Sequence, residues 1–176
     1  MPASLVVTVI GEDRPGLVSL LSDRAMAFGA NWAESRMANL AGQFAGIVHF
    51  QVPAENAAPL AAALRELEAQ GLRVLIAKSE EHAPPAGLHR LRLELLGHDR
   101  PGIVREVSRA LAERGVSIAE LHTALVSGAM SGESLFQARA LLIAPVALGT
   151  DELRLGLEGL ANELMVDIAL DDKDAG

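Results

Sequence analysis

Two stretches of this 176-residue chain carry the same set of reactive and conformationally special residues: Gly11-Glu12-Asp13-Arg14-Pro15-Gly16 and, 86 residues later, Gly97-His98-Asp99-Arg100-Pro101-Gly102. Each lies between an apolar run and a helix-spaced stripe. Pro suits the opening of a helix, where its missing N–H costs nothing, and the Gly after it lets another group approach the backbone closely. The free N–H groups of Gly16, Leu17 and Val18 then point out of a helix end whose dipole favours an anion. Asp13 beside them offers a carboxylate to a cation, and Asn31, opening the next strand, offers donors and acceptors to the same place. Anion-binding amides beside a carboxylate suit a zwitterion, and a free amino acid fits that description. The same residues also satisfy plain turn chemistry, with Asp13 capping the helix through the N–H of Gly16 or Leu17.

Other chemistries find less support. The Gly11–Gly16 spacing has the outline of a phosphate loop, but Leu17-Val18 stands where Lys-Ser/Thr is needed. The chain has no cysteine, which removes disulfides, thiolate metal sites and cysteine nucleophiles. His49, His89 and His122 fall on predicted strands without a second ligand at metal spacing, and read as structural. His98 stands where the first copy has Glu12, and reads as an incidental surface residue. Ser22 and Ser108 have no base nearby and read as helix packing, and Trp32 and Met37 as core or interface. No nucleophile–base pair supports catalysis, so neither an enzyme nor a bound cofactor or metal is expected. The net charge is −8, with four Phe, one Trp and no Tyr. That balance opposes direct nucleic-acid binding, which needs basic clusters and stacking rings. It holds for each half: six basic against nine acidic residues up to Ala86, nine against fourteen after it.

The elements that must position these loops repeat as well. At the 86-residue offset Ser22 meets Ser108, Gly29 meets Gly115 and Glu34 meets Glu120; Phe44 and Pro53 meet Phe136 and Pro145 at an offset of 92. The second copy therefore carries six extra residues, placed in Ser127–Glu133. So long a period marks a duplicated domain rather than a solenoid. Strand Leu5–Ile10 leads to a helix with Leu17, Leu21 and Ala25 on one stripe, stopped at Gly29. Strands Trp32–Leu40 and Phe44–Val52 follow, then a helix presenting Leu60, Leu64 and Leu67 and stopped at Gly71, then strand Leu72–Ile76. The second copy repeats this: Leu91–Leu95, a helix through Ile103, Val107 and Leu111 stopped at Gly115, strands Ile118–Val126 and Leu135–Ile143. Thr150 caps its last helix, and Met165–Leu170 closes the sheet. The expected fold class is α+β, two ferredoxin-like βαββαβ units in tandem, each an antiparallel sheet with helices on one face. The expected domains are 1–78 and 89–170, joined by a Pro- and Gly-rich linker, 79–88, and followed by an acidic tail, 171–176. Met1-Pro2-Ala3-Ser4 has no basic start and no run approaches 20 apolar residues, so neither a signal peptide nor a membrane span is expected, and the chain reads as cytoplasmic.

The pattern of strand, Gly-x-Asp-Arg-Pro-Gly, helix and Gly-x-Asn in such a unit resembles the ACT domain, a small regulatory module that binds amino acids. Its strongest stretches are Ile10–Val18 and Phe28–Met37, and two such units resemble the glycine cleavage system transcriptional repressor family. The resemblance covers nearly the whole chain. It implies a ligand at an ACT–ACT interface, near the first loop and the start of the second strand. By motif position this points to Asp13, Gly16, Leu17 and Asn31, and in the second copy to Asp99, Gly102, Ile103 and Ser117, where Ser departs from the expected Asn. It implies a sensor of a small amino acid such as glycine that controls a transcription factor by protein–protein contact, or alternatively a detached ACT regulatory subunit of an amino-acid metabolic enzyme. Exposed sheet edges allow a homodimer.

Overall fold

Leu5, Val7 and Val9 alternate with polar or half-exposed neighbours along the first strand, so one face of that strand has to be covered. In the computed structural model, which describes residues 1–80 and 85–173, two helices do the covering. The first unit runs β1 (Pro2–Glu12), α1 (Leu17–Ala27), β2 (Asn31–Leu40), β3 (Gln43–Pro53), α2 (Ala57–Arg65) and β4 (Leu72–Ser79). The second runs β5 (Leu88–His98), α3 (Ile103–Ala112), β6 (Ser117–Ser127), β7 (Ser134–Pro145), α4 (Thr150–Leu164) and β8 (Val166–Asp172). The chain divides into two compact units, residues 1–83 and 84–176.

Each sheet is fully antiparallel and has the same order, β2-β3-β1-β4 and β6-β7-β5-β8. This is the expected α+β, βαββαβ arrangement. In the first unit Leu5, Val7, Val9, Val48, Phe50 and Val52 meet Leu17, Leu21, Leu60 and Leu64 in an aliphatic core. Trp32 packs edge-on against Phe50, with ring centres 5.3 Å apart and planes at 85°. In the second, Leu91, Leu93, Leu95 and Leu142 meet Ile103, Val107, Leu111, Leu153 and Leu157. Among the described residues no polar or charged residue is buried. Each fully buried Leu or Phe contributes roughly 1.5–3 kcal/mol, so the helix stripes decide which face of the sheet closes.

Several boundaries differ from the sequence reading. Strand β8 runs through Asp172, with Asp171 opposite Arg92, so the predicted acidic tail begins inside the sheet. Ser79 and Leu88, assigned to the linker, are the last residue of β4 and the first of β5; residues 81–84 of that linker and 174–176 of the tail lie outside the described residues. Thr150 is the first helical residue of α4, and the cap is Gly149, whose carbonyl accepts the Leu153 N–H at 3.0 Å. The helix predicted through Leu67 tightens into a 3₁₀ segment at Glu66–Gln70 before Gly71. Both β2 and β6 are edge strands, and each carries a bulge at the same place, between Trp32 and Glu34 and between Ile118 and Glu120.

Candidate functional site

The duplicated loop joins β1 to α1 and β5 to α3, and its two glycines serve different ends. At Gly11 a Cβ would come within 2.7 Å of the Gly71 carbonyl oxygen, because β1 and the start of β4 approach closely there. At Gly97 it would meet Val166 at 2.4 Å. Gly16 and Gly102 face open space, yet hold φ of 91° and 93°, a left-handed turn that other residues enter only under strain. Each is the N-cap of its helix, and neither helix receives a side-chain cap. The amides of the first turn are therefore left open beyond an exposed loop, in the field of the helix dipole.

Asp13 does not cap the helix, whereas the left-handed Gly16 after Pro15 is the turn chemistry that the sequence also allows. Its N–H donates to the Gly42 carbonyl at 2.9 Å, and its Oδ2 accepts a hydrogen bond from the Asn39 side-chain amide on β2. One carboxylate oxygen is thus fixed from within the unit, and Oδ1 is not engaged by that amide. The Arg14 guanidinium donates to the Gln70 carbonyl at 2.8 Å, tying the loop to the end of the following helix region. Leu17 is buried and anchors the first turn in the core, while Asp13 and Gly16 are exposed. Asn39 was not singled out by the sequence reading, since it lies 26 residues from Asp13 and only the β2–β3 hairpin brings it there.

Asn31 lies elsewhere. It pairs with Gln51, at the level of Ser4, whereas Asn39 pairs with Phe44, at the level of Gly11. At about 3.4 Å per residue the levels of Asn31 and Asn39 are about 24 Å apart, so Asn31 does not share the loop of its own unit. Ser117 sits at the same far end of β6, opposite Ile143.

The second loop repeats the backbone and changes the side chains. The Asp99 N–H donates to the Ser134 carbonyl at 3.2 Å, as Asp13 does to Gly42. The position of Asn39 is held by Leu125, so Asp99 has no equivalent amide. The longer hairpin, 128–133, brings Glu133 to 3.4 Å from His98. Arg100, Gly102, Arg105, Glu106, Leu160 and Glu163 line an exposed depression of about 650 Å³ at the start of α3, while Ile103 is buried in the core. Of the remaining histidines, His49 is hydrogen-bonded to Ser4 at 2.6 Å and His122 lies 4.0 Å from Glu120. His89 carries a buried Nε2 without a hydrogen-bond partner, which the structural reading of that residue did not foresee. Among the described residues no three His, Asp or Glu side chains cluster as metal ligands. Among the same residues no helix is long and apolar enough to cross a membrane.

Family comparison matches the two units separately: an ACT-domain model covers residues 3–76 and a second ACT-domain model covers residues 91–125. The chain is a tandem ACT-domain protein. Two solved structures are similar to this ACT protein over nearly its full length. A protein of unknown function from Galdieria sulphuraria is 31% identical, with a TM-score of 0.86 over 98% of this chain and 99% of that one. A proposed glycine cleavage system transcriptional repressor is 19% identical, with a TM-score of 0.71 over 97% of each chain, and shows the shared fold. No curated protein matches the ACT chain in sequence.

Proposed function

We propose that this ACT protein is an amino-acid sensor that controls a transcription factor by direct protein contact. The observation that carries the reading is the β1–α1 loop: a helix start without a side-chain cap, preceded by an Asp13 carboxylate that Asn39 holds from β2. The amides suit a carboxylate and Asp13 an ammonium, the two ends of an α-amino acid. The same backbone recurs at Asp99, Gly102 and Ile103. Two such loops on ACT scaffolds supply regulation rather than chemistry, and the solved neighbour named as a proposed repressor is similar in fold.

Asn31 and Ser117 enter this reading across an ACT–ACT edge. β2 is an edge strand, so a second ACT unit can pair with it. If residues Glu34–Leu40 pair antiparallel with an equivalent strand about Met37, Asn31 of one strand passes Leu40 of the other and reaches the turn at Gly42, which holds the Asp13 N–H. The ligand then lies between the loop of one unit and the strand start of another. The acidic charge of −8 favours a protein partner over phosphate contacts.

A thermal-melting panel of the amino acids tests the reading. Glycine or another small amino acid raises the melting temperature, and Asp13→Ala removes the shift. Partner affinity changes by the ligand's differential affinity for the two arrangements, about 1–3 kcal/mol. A full panel that leaves both melting and partner binding unchanged ends the sensor reading. Affinity capture from the native host, with mass-spectrometric identification, separates a helix-turn-helix regulator from a metabolic enzyme as the partner.

A further inference from the structure

The helix-free face of the second sheet carries basic side chains that neither the core nor the β5–α3 loop uses. Beside the bulge in β6, Arg92, Arg139 and Lys173 line an open depression of about 330 Å³, together with Glu94, Glu120 and His122. Its apolar lining is Ala140 and Leu141. A depression of about 290 Å³ lies at the same place on the first sheet, and there Val6, Ile47 and Ser79 hold the positions of Arg92, Arg139 and Lys173. Three neutral positions of one copy are thus all basic in the other. The second half of the chain has nine basic residues against fourteen acidic, and three of the nine meet here.

Arg92 and Arg139 stand on adjacent strands as diagonal neighbours, since Arg92 pairs with Leu141 and Arg139 with Glu94. Diagonal partners are about 7–8 Å apart, close enough for two long side chains to hold one group above Leu141. Each arginine has a carboxylate across the ladder, Asp171 for Arg92 and Glu94 for Arg139. Among the described residues, however, neither guanidinium forms an ion pair or a hydrogen bond.

We propose that this depression binds the carboxylate of a small organic acid between Arg92 and Arg139. It shares no residue with the β1–α1 loop and stands independently of the amino-acid reading. The chemistry of the lining selects the ligand. A guanidinium fork matches the paired oxygens of a carboxylate or a phosphate. Glu94 and Glu120 border the same space, and their charge disfavours a dianion such as phosphate. Leu141 and Ala140 offer apolar surface to a carbon skeleton, which an inorganic ion does not use. Lys173 adds a flexible point charge at the end of β8.

Titration of the full chain with sodium butyrate at constant ionic strength, followed by amide NMR shifts, tests the proposal. Butyrate has a carboxylate and a short aliphatic body but no ammonium for Asp13, so a response here is distinct from one at the loop. The amides of Arg92, Arg139 and Leu141 should shift and saturate in the millimolar range. Arg92→Gln and Arg139→Gln should each weaken binding roughly tenfold or more. Val6 and Ile47 show that the fold does not need arginine at these places, and an unchanged melting curve confirms that each variant is folded. Shifts that do not saturate overturn the proposal, as does an equal response to sodium phosphate or sodium chloride. Variants that bind butyrate as tightly as the parent chain overturn it too.

Discussion

The side-chain amide of Asn39 donates a hydrogen bond to the carboxylate of Asp13, joining the end of β2 to the loop that precedes α1. Both residues are exposed, so the bond adds little to stability, on the order of 0.5–1 kcal/mol. Its effect is on orientation: it fixes one carboxylate oxygen in the loop that leads into α1. Asn39→Ala should therefore lower the melting temperature only slightly while removing most of the ligand-induced shift. Asn39→Asp should do so more strongly, since two carboxylates would face each other. Calorimetric titration with the amino acid that scores in the melting panel checks both variants.

The two glycines of each loop should fail in different ways when replaced. Gly11→Ala forces a Cβ against the Gly71 carbonyl oxygen, a backbone atom that cannot swing aside. It should cost about 1–3 kcal/mol in urea unfolding, and Gly97→Ala should behave alike against Val166. Gly16→Ala meets no neighbour but must hold a φ of 91°. It should cost about 1–2 kcal/mol and reorient the first amides of α1, so that ligand response falls with stability.

In the second unit Leu125 occupies the place of Asn39, and Ser117 that of Asn31. If the amide on Asp13 is what prepares the first loop, Leu125→Asn should confer the same preparation on Asp99. The variant should show a larger ligand-induced melting shift than the parent chain, measured in an Asp13→Ala background so that the first loop is silent. Adding Ser117→Asn should increase it further. A background that stays unresponsive after both changes would mean that the second loop has lost binding for another reason.

Much of this architecture is legible from residue pattern because it depends on local physics. The stops at Gly29, Gly71 and Gly115 are left-handed in the structure, where glycine is favoured. The helix stripes Leu60–Leu64–Leu67 and Ile103–Val107–Leu111 are buried as their spacing requires. What escaped detection depends on distance in the chain. Asn39 reaches Asp13 only through a hairpin, and Asn31 is carried away from the loop by the length of its own strand. The end of α4 escaped for the opposite reason: Met165, not glycine, takes the left-handed position there, with φ of 52°. The uncapped state of α1 is also invisible in a sequence that offers Asp13 three residues before its cap position.

Met165 gives a direct check on that last helix. It is largely exposed and holds a conformation disfavoured for a side-chain-bearing residue by about 1–2 kcal/mol. Met165→Gly recovers the strain and returns part of it as added freedom of the unfolded chain. The net gain should be about 0.5 kcal/mol, read as a rise of about 2–4 °C in melting temperature.

The bulges at the same point of β2 and β6 have a bearing on how such chains avoid growing into fibres. Beyond the extra residue, the side chains of the edge strand switch the face on which they alternate, so an incoming strand can follow only the stretch on one side of it. A partner segment seven residues long, Glu34–Leu40, fits on the far side of the bulge in β2, and a longer one cannot add without losing step. Sheet extension at the β2 and β6 edges is thereby limited to short, terminated pairings.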